Sequence, residues 1–566
     1  MRKLTKLLLM LAVLAGLTLI AYLVYTKVLR PDRIPHQPPS PESLQNLLPQ
    51  KKHTRHLLGT NTNELREDNA SIPFIDLFKS SIPFANTHPW LSSKDVEYDN
   101  DGWPLELNGG VAGTKFLNRL PKGTVPDGAQ YTVLYQGKGT INYGNDARLI
   151  SRHNGKDIIR VSAGADNILN ASLIVQSMEP SDPIRNIRVL LPGGICQNNQ
   201  FRRVDNASQC KNSQFLSFEK YHSNIVFNPD YLNFMKDFRL IRFMNMSGMT
   251  RNAIESWSDR NRLSKATWAG KEGQRGAPVE VMVALANRLN ADAWFAMPYK
   301  ASDEYVTRFA EYVAQHLDPS LKAYIEYTNE AWNNIFPHRR YAIDNGIALG
   351  LDKHPETAGI KFYAKRSTDI FKLWENAFNG RSRLVRVISG WSANHKLSSQ
   401  LLSYNQTHQH TDALAIAPYF YTDLDSLRAA KSTEDIFDAV LDKGSRYGLP
   451  ASIRQMQQQA KLAKAFGVEL IAYEGGQHLV DWETRTVDQH PNPLLYSANR
   501  SPKMGALYTE YLEAWKHAGG KTFVHFSAPR IYSWYGSWGA KEHIRQERSE
   551  APKYDALLRY LEQYEN

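Results

Sequence analysis

The chain has 566 residues, of which 42% are hydrophobic and 11% aromatic, a composition that excludes a disordered protein and is sufficient for two folded units. The formal net charge of +11 is concentrated at the N-terminus, because residues 1–60 hold nine Lys/Arg and two Asp/Glu and so contribute +7. The rest of the chain is only mildly basic and carries no Lys/Arg-rich stripe, which argues against a nucleic-acid partner and leaves an anionic polysaccharide open.

An uncharged apolar stretch of 20 residues, 7–26, follows Arg2, Lys3 and Lys6. A helix of that length spans a hydrocarbon core of about 30 Å, which predicts a transmembrane anchor within residues 1–30 and a cytoplasmic N-terminus. A cleaved signal peptide is the alternative, but its apolar region is usually shorter, about 7 to 15 residues. The prediction is a single-pass membrane protein, attached to the membrane through this helix, whose folded part is periplasmic or extracellular.

Residues 31–69 contain a proline-rich run and a basic run with little apolar periodicity, and they are predicted to be a tether. Residues 70–183 contain short alternating segments separated by Gly, Asn and Asp turns, which predict a β-sandwich accessory domain. Cys196 and Cys210 follow in a polar loop, and on an exported chain we expect them to form a disulfide. Two free thiols are the alternative, and two cysteines are too few for a zinc framework.

Residues 184–566 alternate strand-like apolar runs with helical periodicity, which is the βα repeat of a parallel sheet. Eight units favour closure into a (β/α)8 barrel, a fold of the α/β class. The strand candidates are 187–191, 240–244, 293–297, 323–327, 384–389, 413–417, 469–473 and 522–526.

Two glutamates end such strand-like runs. Glu330 ends Tyr-Ile-Glu-Tyr-Thr-Asn-Glu, and Glu474 ends Glu-Leu-Ile-Ala-Tyr-Glu. In a parallel barrel the carboxyl ends of the strands hold the chemistry, and cleavage of a glycosidic bond needs two carboxyl groups: one protonates the leaving oxygen, and the other attacks or activates water. Either residue alone is also compatible with a solvated position at a sheet edge. Two of them in distinctive local sequences favour a site that cleaves sugars.

The segment 327–333, Tyr-Thr-Asn-Glu-Ala-Trp-Asn, resembles the Asn-Glu signature at the fourth strand of clan A retaining glycoside hydrolases. Glu474, in Tyr-Glu-Gly-Gly-Gln-His, matches the nucleophile at the seventh strand of that superfamily. The resemblance covers the chain from residue 187 onward and identifies no family within the clan. It implies that Glu330 is the acid/base and Glu474 the nucleophile.

The resemblance also implies a set of substrate-binding residues. Arg242 on the second strand is the cation expected at the nucleophile, and a structural ion pair is its alternative. Asn329 is expected to bind the 2-hydroxyl of the sugar, and Tyr419 to donate a hydrogen bond to the nucleophile or simply to pack. Position, and not the resemblance, adds the remaining candidates. Trp534 and Trp538 after strand eight are expected to stack on a sugar face, with simple packing at the barrel mouth as the alternative for one of them. Trp391 and His395 after strand five and Gln477 and His478 beside Glu474 are cleft candidates, with a structural role as the alternative for each His.

The sequence thus predicts a membrane-anchored retaining glycoside hydrolase that acts by double displacement on an extracellular or periplasmic polysaccharide or oligosaccharide, with no metal and no organic cofactor. One alternative is a non-catalytic polysaccharide-binding or scaffold protein on the same fold. The presence of both glutamates, Asn329 and Arg242 counts against it. The other alternative is a transglycosylase, which the sequence does not separate from a hydrolase because the first half-reaction is shared.

Overall fold

The structure is a computed structural model that describes residues 58–85 and 91–565, and its central element is a closed barrel of eight parallel strands. The strands are β1 (Leu58–Asn61), β2 (Glu97–Tyr98), β3 (Pro104–Glu106), β4 (Ala112–Pro121), β5 (Ala129–Gln136), β6 (Gly139–Asn145), β7 (Ala147–His153), β8 (Lys156–Val161), β9 (Ile168–Met178), β10 (Arg185–Leu190), β11 (Gly194–Cys196), β12 (Asn199–Val204), β13 (Phe215–Ser217), β14 (Leu240–Arg242), β15 (Asp292–Met297), β16 (Ala323–Tyr327), β17 (Leu384–Ser389), β18 (Ala413–Ile416), β19 (Glu469–Ala472) and β20 (Phe523–His525). The α-helices are α1 (Phe218–Tyr221), α2 (Pro229–Met235), α3 (Val279–Leu289), α4 (Asp303–His316), α5 (Pro337–Ala348), α6 (Pro355–Ala377), α7 (His395–Ser403), α8 (Leu424–Ala429), α9 (Thr433–Leu441), α10 (Gly448–Ala465), α11 (Asn492–Arg500), α12 (Pro502–Ala518) and α13 (Pro552–Glu565). Short 3-10 helices lie at Leu77–Ser80, Ala207–Gln209, Trp257–Asp259, Tyr404–His410 and Arg548–Glu550.

The barrel strands follow the order β1, β14, β15, β16, β17, β18, β19 and β20, and β20 pairs in parallel with β1 to close the ring. Most of these strands are buried along their whole length, because helices cover them outside and packed side chains fill the inside. In β15, for example, all six residues are buried. The interior is filled by a cluster that includes Leu240, Trp294, Val387 and Ile471.

The first strand of the barrel is β1 and not the predicted strand at 187–191. β1 lies inside the predicted tether of residues 31–69, so the barrel begins at Leu58 rather than within 184–566. Residues 185–190 form β10, which pairs antiparallel with β5 and is only partly buried along its length. The four residues of β1 are too few for a periodic signal, and their burial comes from the strands on either side.

The residues between β1 and β14 form the accessory part of the fold. Two antiparallel sheets lie here, with the strand orders β4-β9-β6 and β10-β5-β8-β7. Buried residues of both sheets, such as Leu173 and Val133, belong to the same hydrophobic cluster as the helices around the barrel. A further sheet, β12-β11-β13, carries Cys196, which is bonded to Cys210 with a Cα–Cα distance of 5.3 Å, and the predicted disulfide is therefore confirmed.

The ends of the barrel helices follow local sequence signals. Helix α4 begins after Ser302, whose side chain accepts a hydrogen bond from the Tyr305 backbone nitrogen, and two acidic residues occupy its first turn. Helix α12 has Pro502 in its first turn and ends at Gly519, which has a φ of 101°. These ends fix where the chain leaves each helix for the next strand.

No helix within residues 58–85 and 91–565 is long and apolar enough to cross a bilayer. This finding contradicts the prediction of a single-pass membrane protein attached through an N-terminal helix. The apolar stretch at 7–26, on which that prediction depends, lies outside the described residues. The predicted periplasmic or extracellular location of the barrel depends on the same helix and is corrected with it.

Candidate active site

The carboxyl ends of the barrel strands carry a cluster of polar side chains. Asn61 ends β1 and pairs in register with Arg242, which ends β14. Glu326 lies within β16, Glu330 follows the same strand by three residues, and Glu474 follows β19 by two residues. Because the carboxyl ends of parallel strands meet at one face of a barrel, segments far apart in the chain come together here.

Arg242 is fully buried and is the centre of this cluster. Its Nη1 donates to Glu474 Oε1 at 2.8 Å and to Asn61 Oδ1 at 3.1 Å. Its Nε and Nη2 donate to Glu326 Oε2 at 3.2 and 2.9 Å, and Nη2 also donates to Asn329 Oδ1 at 3.1 Å. One guanidinium therefore faces two carboxylates, which fixes its orientation and offsets part of the cost of burying all three charges.

Two side chains besides Arg242 hold the carboxylate of Glu326. It is fully buried, and it accepts hydrogen bonds from Trp294 Nε1 at 3.0 Å and from Ser389 Oγ at 2.6 Å. With its own lone pairs satisfied, Glu326 acts as a fixed counter-ion beneath Arg242. With Nε and Nη2 of Arg242 bound to Glu326, the remaining nitrogen, Nη1, is aimed at Glu474.

Glu474 is 7% exposed and accepts hydrogen bonds at both carboxylate oxygens. Arg242 binds Oε1, and the Tyr419 hydroxyl donates to Oε2 at 3.0 Å. Tyr419 follows β18 and also contacts the rings of His478 and Phe526, with centroid separations of 5.3 and 6.4 Å. The carboxylate is therefore held in one orientation by a cation and a hydroxyl, as an attacking group requires.

Glu330 is held by neutral groups alone. The Tyr473 hydroxyl donates to its Oε1 at 2.7 Å, and Asn333 Nδ2 donates to its Oε2 at 2.8 Å. The turn after β16 is strained, since Thr328 and Glu330 have φ values of 50° and 44°. These values lie in the left-handed region of backbone conformation, which residues other than Gly rarely adopt. Such strain, of order 1 to 3 kcal/mol per residue, persists only where the surroundings enforce it.

The two carboxyl groups titrate in different surroundings. Burial raises the pKa of Glu330, and the Tyr473 and Asn333 hydrogen bonds offset part of that rise. Burial also raises the pKa of Glu474 against the lowering influence of Arg242, and the charge of Glu330 raises it further. Because the guanidinium donates directly to Glu474, a single proton shared by the pair is more stable on Glu330.

The structure places His478 beside Tyr419, and Trp538 beside His478. Trp538 Nε1 donates to His478 Nδ1 at 3.2 Å, and because an indole nitrogen only donates, Nδ1 accepts and the ring proton is on Nε2. Burial lowers the pKa of His478 to about 4, so the ring is neutral near pH 7. Phe526 packs edge-on against Trp538 with a centroid separation of 5.7 Å.

The remaining predicted residues have other contacts. Gln477 is fully buried, and its side chain donates to the Ser537 carbonyl at 2.7 Å, which ties together the loops after β19 and β20. Trp534 stacks on Tyr535 with a centroid separation of 3.6 Å. His395 is exposed at the first turn of α7. Trp391 stacks on Trp332, which lies on the loop that carries Glu330.

Several residues of the site are absent from the sequence-based set. Glu326 could have been found, because a charged residue inside a buried strand must have a partner. Tyr473 and Phe526 adjoin strand ends but look like ordinary core residues. They include Asn61, Glu326, Trp332, Asn333, Tyr473 and Phe526.

Within the part of the chain that the structure describes, no group of three or more His, Cys, Asp or Glu side chains is arranged to hold a metal ion. The chemistry available to the site from its own residues is proton transfer by Glu330, nucleophilic attack or base catalysis by Glu474, and hydrogen bonding from the groups around them.

No protein-family model matches the chain, and no curated protein matches it in sequence. Solved structures that it resembles include a GH51 arabinofuranosidase from Xanthomonas axonopodis pv. citri, with 12% identity over 53% of this chain and 60% of that one and a TM-score of 0.32. A Bacteroidetes-affiliated GH5 cellulase has 12% identity over 59% and 84% of the two chains and a TM-score of 0.36. An endo-β-1,4-mannanase from Cellulomonas fimi has 12% identity over 57% and 62% and a TM-score of 0.32.

The chain thus spans less than two thirds of the arabinofuranosidase and of the mannanase. Likeness at these scores establishes neither a family nor an activity. The barrel is established by its own strand pairing, and the contacts within the candidate site by its own hydrogen bonds.

Proposed function

We propose that the protein is a retaining glycoside hydrolase that cleaves a polysaccharide or oligosaccharide by double displacement. The observation that supports this function is the unequal environment of two neighbouring carboxyl groups. Glu474 is bound by the buried cation Arg242 and by a hydroxyl, whereas Glu330 is bound by a hydroxyl and an amide. A pair of carboxyl groups whose surroundings separate their protonation states is what acid and nucleophile roles require.

In the first half-reaction a carboxylate oxygen of Glu474 forms a bond to the anomeric carbon as the glycosidic bond breaks. Glu330 gives its proton to the leaving oxygen, and the leaving sugar departs as an alcohol. Arg242 and Tyr419 keep Glu474 ionised and oriented before the attack. As the ester forms, Glu474 loses its negative charge, and the pKa of Glu330 falls because that charge no longer opposes its ionisation.

In the second half-reaction water replaces the leaving sugar. Glu330, now ionised, removes a proton from the water as its oxygen attacks the anomeric carbon, and Glu474 leaves as a carboxylate. Tyr473 donates to Glu330 at 2.7 Å and stabilises that ionised form. Two displacements at one carbon return the product to the configuration of the substrate.

Asn329 is the residue that we assign to the 2-hydroxyl of the bound sugar. Its Oδ1 accepts from Arg242, so the side-chain amide nitrogen is the group that donates to the substrate. Hydrogen bonds to this hydroxyl strengthen in the transition state and contribute several kcal/mol in glycoside hydrolysis.

The test compares Glu474→Gln and Glu330→Gln with the wild type on a panel of neutral and acidic polysaccharides and on aryl glycosides. Glu474→Gln should lose turnover on every substrate, by roughly 1000-fold or more. Glu330→Gln should lose turnover on polysaccharides but keep it on aryl glycosides, whose leaving group needs little protonation.

The matched control is Glu469→Gln, an exposed glutamate at the opposite end of the strand that Glu474 follows. It should keep wild-type rates. Wild-type rates in both active-site variants, or a wild type that binds a polysaccharide without cleaving any bond in the panel, would contradict the proposed function.

A further inference from the structure

Two tryptophans on neighbouring loops at the barrel mouth stack on one another. Trp332 lies two residues after Glu330, and Trp391 lies on the loop after β17. Their ring centroids are 5.5 Å apart and their planes differ by 3°. Trp332 is half-buried, whereas Trp391 is 48% exposed and so presents a flat apolar face to solvent.

Hydrogen bonds fix the loop that carries Trp391. The buried side chain of Gln459 donates to the Trp391 carbonyl at 3.1 Å and to the Ser392 carbonyl at 3.0 Å. The Asn394 backbone nitrogen also donates to the Trp391 carbonyl, at 2.9 Å. An exposed indole on a loop with these hydrogen bonds and with a second indole against its inner face is held ready for a ligand.

The inner tryptophan is fixed to the acid itself. Asn333, next to Trp332, donates through its backbone nitrogen to the Glu330 carbonyl at 2.9 Å and through Nδ2 to Glu330 Oε2. Trp332 therefore belongs to the same turn as the group that delivers a proton, and its stacking holds Trp391 of the next loop beside that turn. The aromatic pair Trp534 and Tyr535 lies instead on the loop after β20, beside the strand that precedes Glu474.

The chemistry assigns a side of the cleft to each pair. The acid protonates the oxygen of the leaving group, so the sugar nearest the turn of Glu330 is the one that departs. An indole face suits the CH-rich face of a pyranose ring, which gives apolar contact without a hydrogen-bond requirement. The opposite side, at Glu474, receives the sugar that becomes covalently attached.

We propose that Trp391, backed by Trp332, is the binding platform for the leaving-group sugar. This inference rests on the proposed function and narrows its substrate class. The substrate has a sugar ring on both sides of the bond that is cleaved, so the enzyme acts on oligosaccharides and polysaccharides in preference to glycosides with a small leaving group.

The experiment compares substrates that have a sugar as the leaving group with substrates that have none. Cellopentaose, mannopentaose and xylopentaose have a leaving sugar; cellobiosyl, mannobiosyl and xylobiosyl fluoride have a single fluorine atom in its place. For the sugar on which the wild type is active, Trp391→Ala should lower kcat/KM on the pentaose by roughly 10-fold or more and on the fluoride by less than 2-fold. Trp391→Phe keeps a flat ring and should recover part of the loss.

The matched control is Trp482→Ala, which removes an indole that is 63% exposed on the loop after β19. It should leave the ratio of pentaose to fluoride activity unchanged. Equal losses on both substrates in Trp391→Ala, or no loss on either, would overturn the platform while the proposed function stands. A wild type that cleaves neither these substrates nor any polysaccharide of the neutral and acidic panel would instead contradict the proposed function, and it would remove the platform with it.

Discussion

Replacement of Arg242 by Met separates the catalytic role of the guanidinium from its structural role. Arg242 is fully buried, and it donates to Glu326, which is also fully buried, and to Glu474, which is 7% exposed. Met fills a similar volume but carries no charge. The substitution therefore leaves two buried carboxyl groups without their common cation.

The stability cost follows from that burial. Removal of one partner of a buried ion pair costs about 3 to 5 kcal/mol, because the remaining charge stays uncompensated. A second substitution, Glu326→Gln, removes one of the two stranded charges and keeps an acceptor for Trp294 or Ser389. The double variant should therefore recover at least half of the lost free energy of unfolding.

The cost to activity should not be recovered. A cation within about 4 to 6 Å lowers a carboxyl pKa by roughly one to three units, so without Arg242 the pKa of Glu474 rises further. The acid limb of the pH profile of kcat/KM should therefore move to higher pH by roughly one to three units. The maximal kcat/KM should fall by about 100-fold or more.

The assay combines urea unfolding with pH profiles of kcat/KM for the wild type, Arg242→Met, and Arg242→Met with Glu326→Gln. The expected result is a double variant that is restored in stability and still impaired in activity. If the double variant recovered both, Arg242 would be a structural ion-pair partner alone, and the reasoning about Glu474 would be refuted.

Three further predictions concern other parts of the molecule. Tyr473→Phe removes a hydrogen bond that lowers the pKa of Glu330, so the basic limb of the kcat/KM profile should move to higher pH, and an unmoved limb would contradict this. Burial raises the pKa of Glu330 above its ordinary value of 4.5. The contribution of this carboxyl group to the free energy of unfolding is therefore complete below pH 4.5 and is lost as the pH rises through the raised pKa. Urea titrations at a series of pH values should show this decline in the wild type and a weaker decline in Glu330→Gln. Replacement of Cys196 and Cys210 by Ser removes a disulfide with a sequence separation of 14. The free energy of unfolding should fall by about 3 kcal/mol while kcat/KM stays unchanged. An unaltered urea midpoint would refute this prediction.

Much of the barrel could be predicted because seven of its strands are compact apolar runs that alternate with helical segments. Glu330 and Glu474 stand out at the ends of two such runs, and Arg242 stands out as the cation in a third. β1 could not be found in this way, since Leu58–Asn61 has four residues and is specified by its neighbours β14 and β20. With that strand missing, the antiparallel strand at 185–190 was the nearest apolar run to complete a set of eight.

The parts of the site that the sequence does not reveal depend on contacts between distant segments. Asn61 meets Arg242 only because β1 and β14 pair in register. Trp332 and Trp391 are stacked because the loops after β16 and β17 converge, and neither loop has a signal for that in its own residues. The predicted membrane helix is a different case: its apolar stretch was clear, and the described residues hold no helix that could span a bilayer.

In the proposed function, Glu474 and Glu330 carry out two displacements at one anomeric carbon. The most direct measurement is the configuration of the first sugar released from the best substrate of the panel, followed by NMR before the product anomers equilibrate. The predicted result is a product with the configuration of the substrate. Release of the inverted anomer would mean a single displacement by water and would contradict the account.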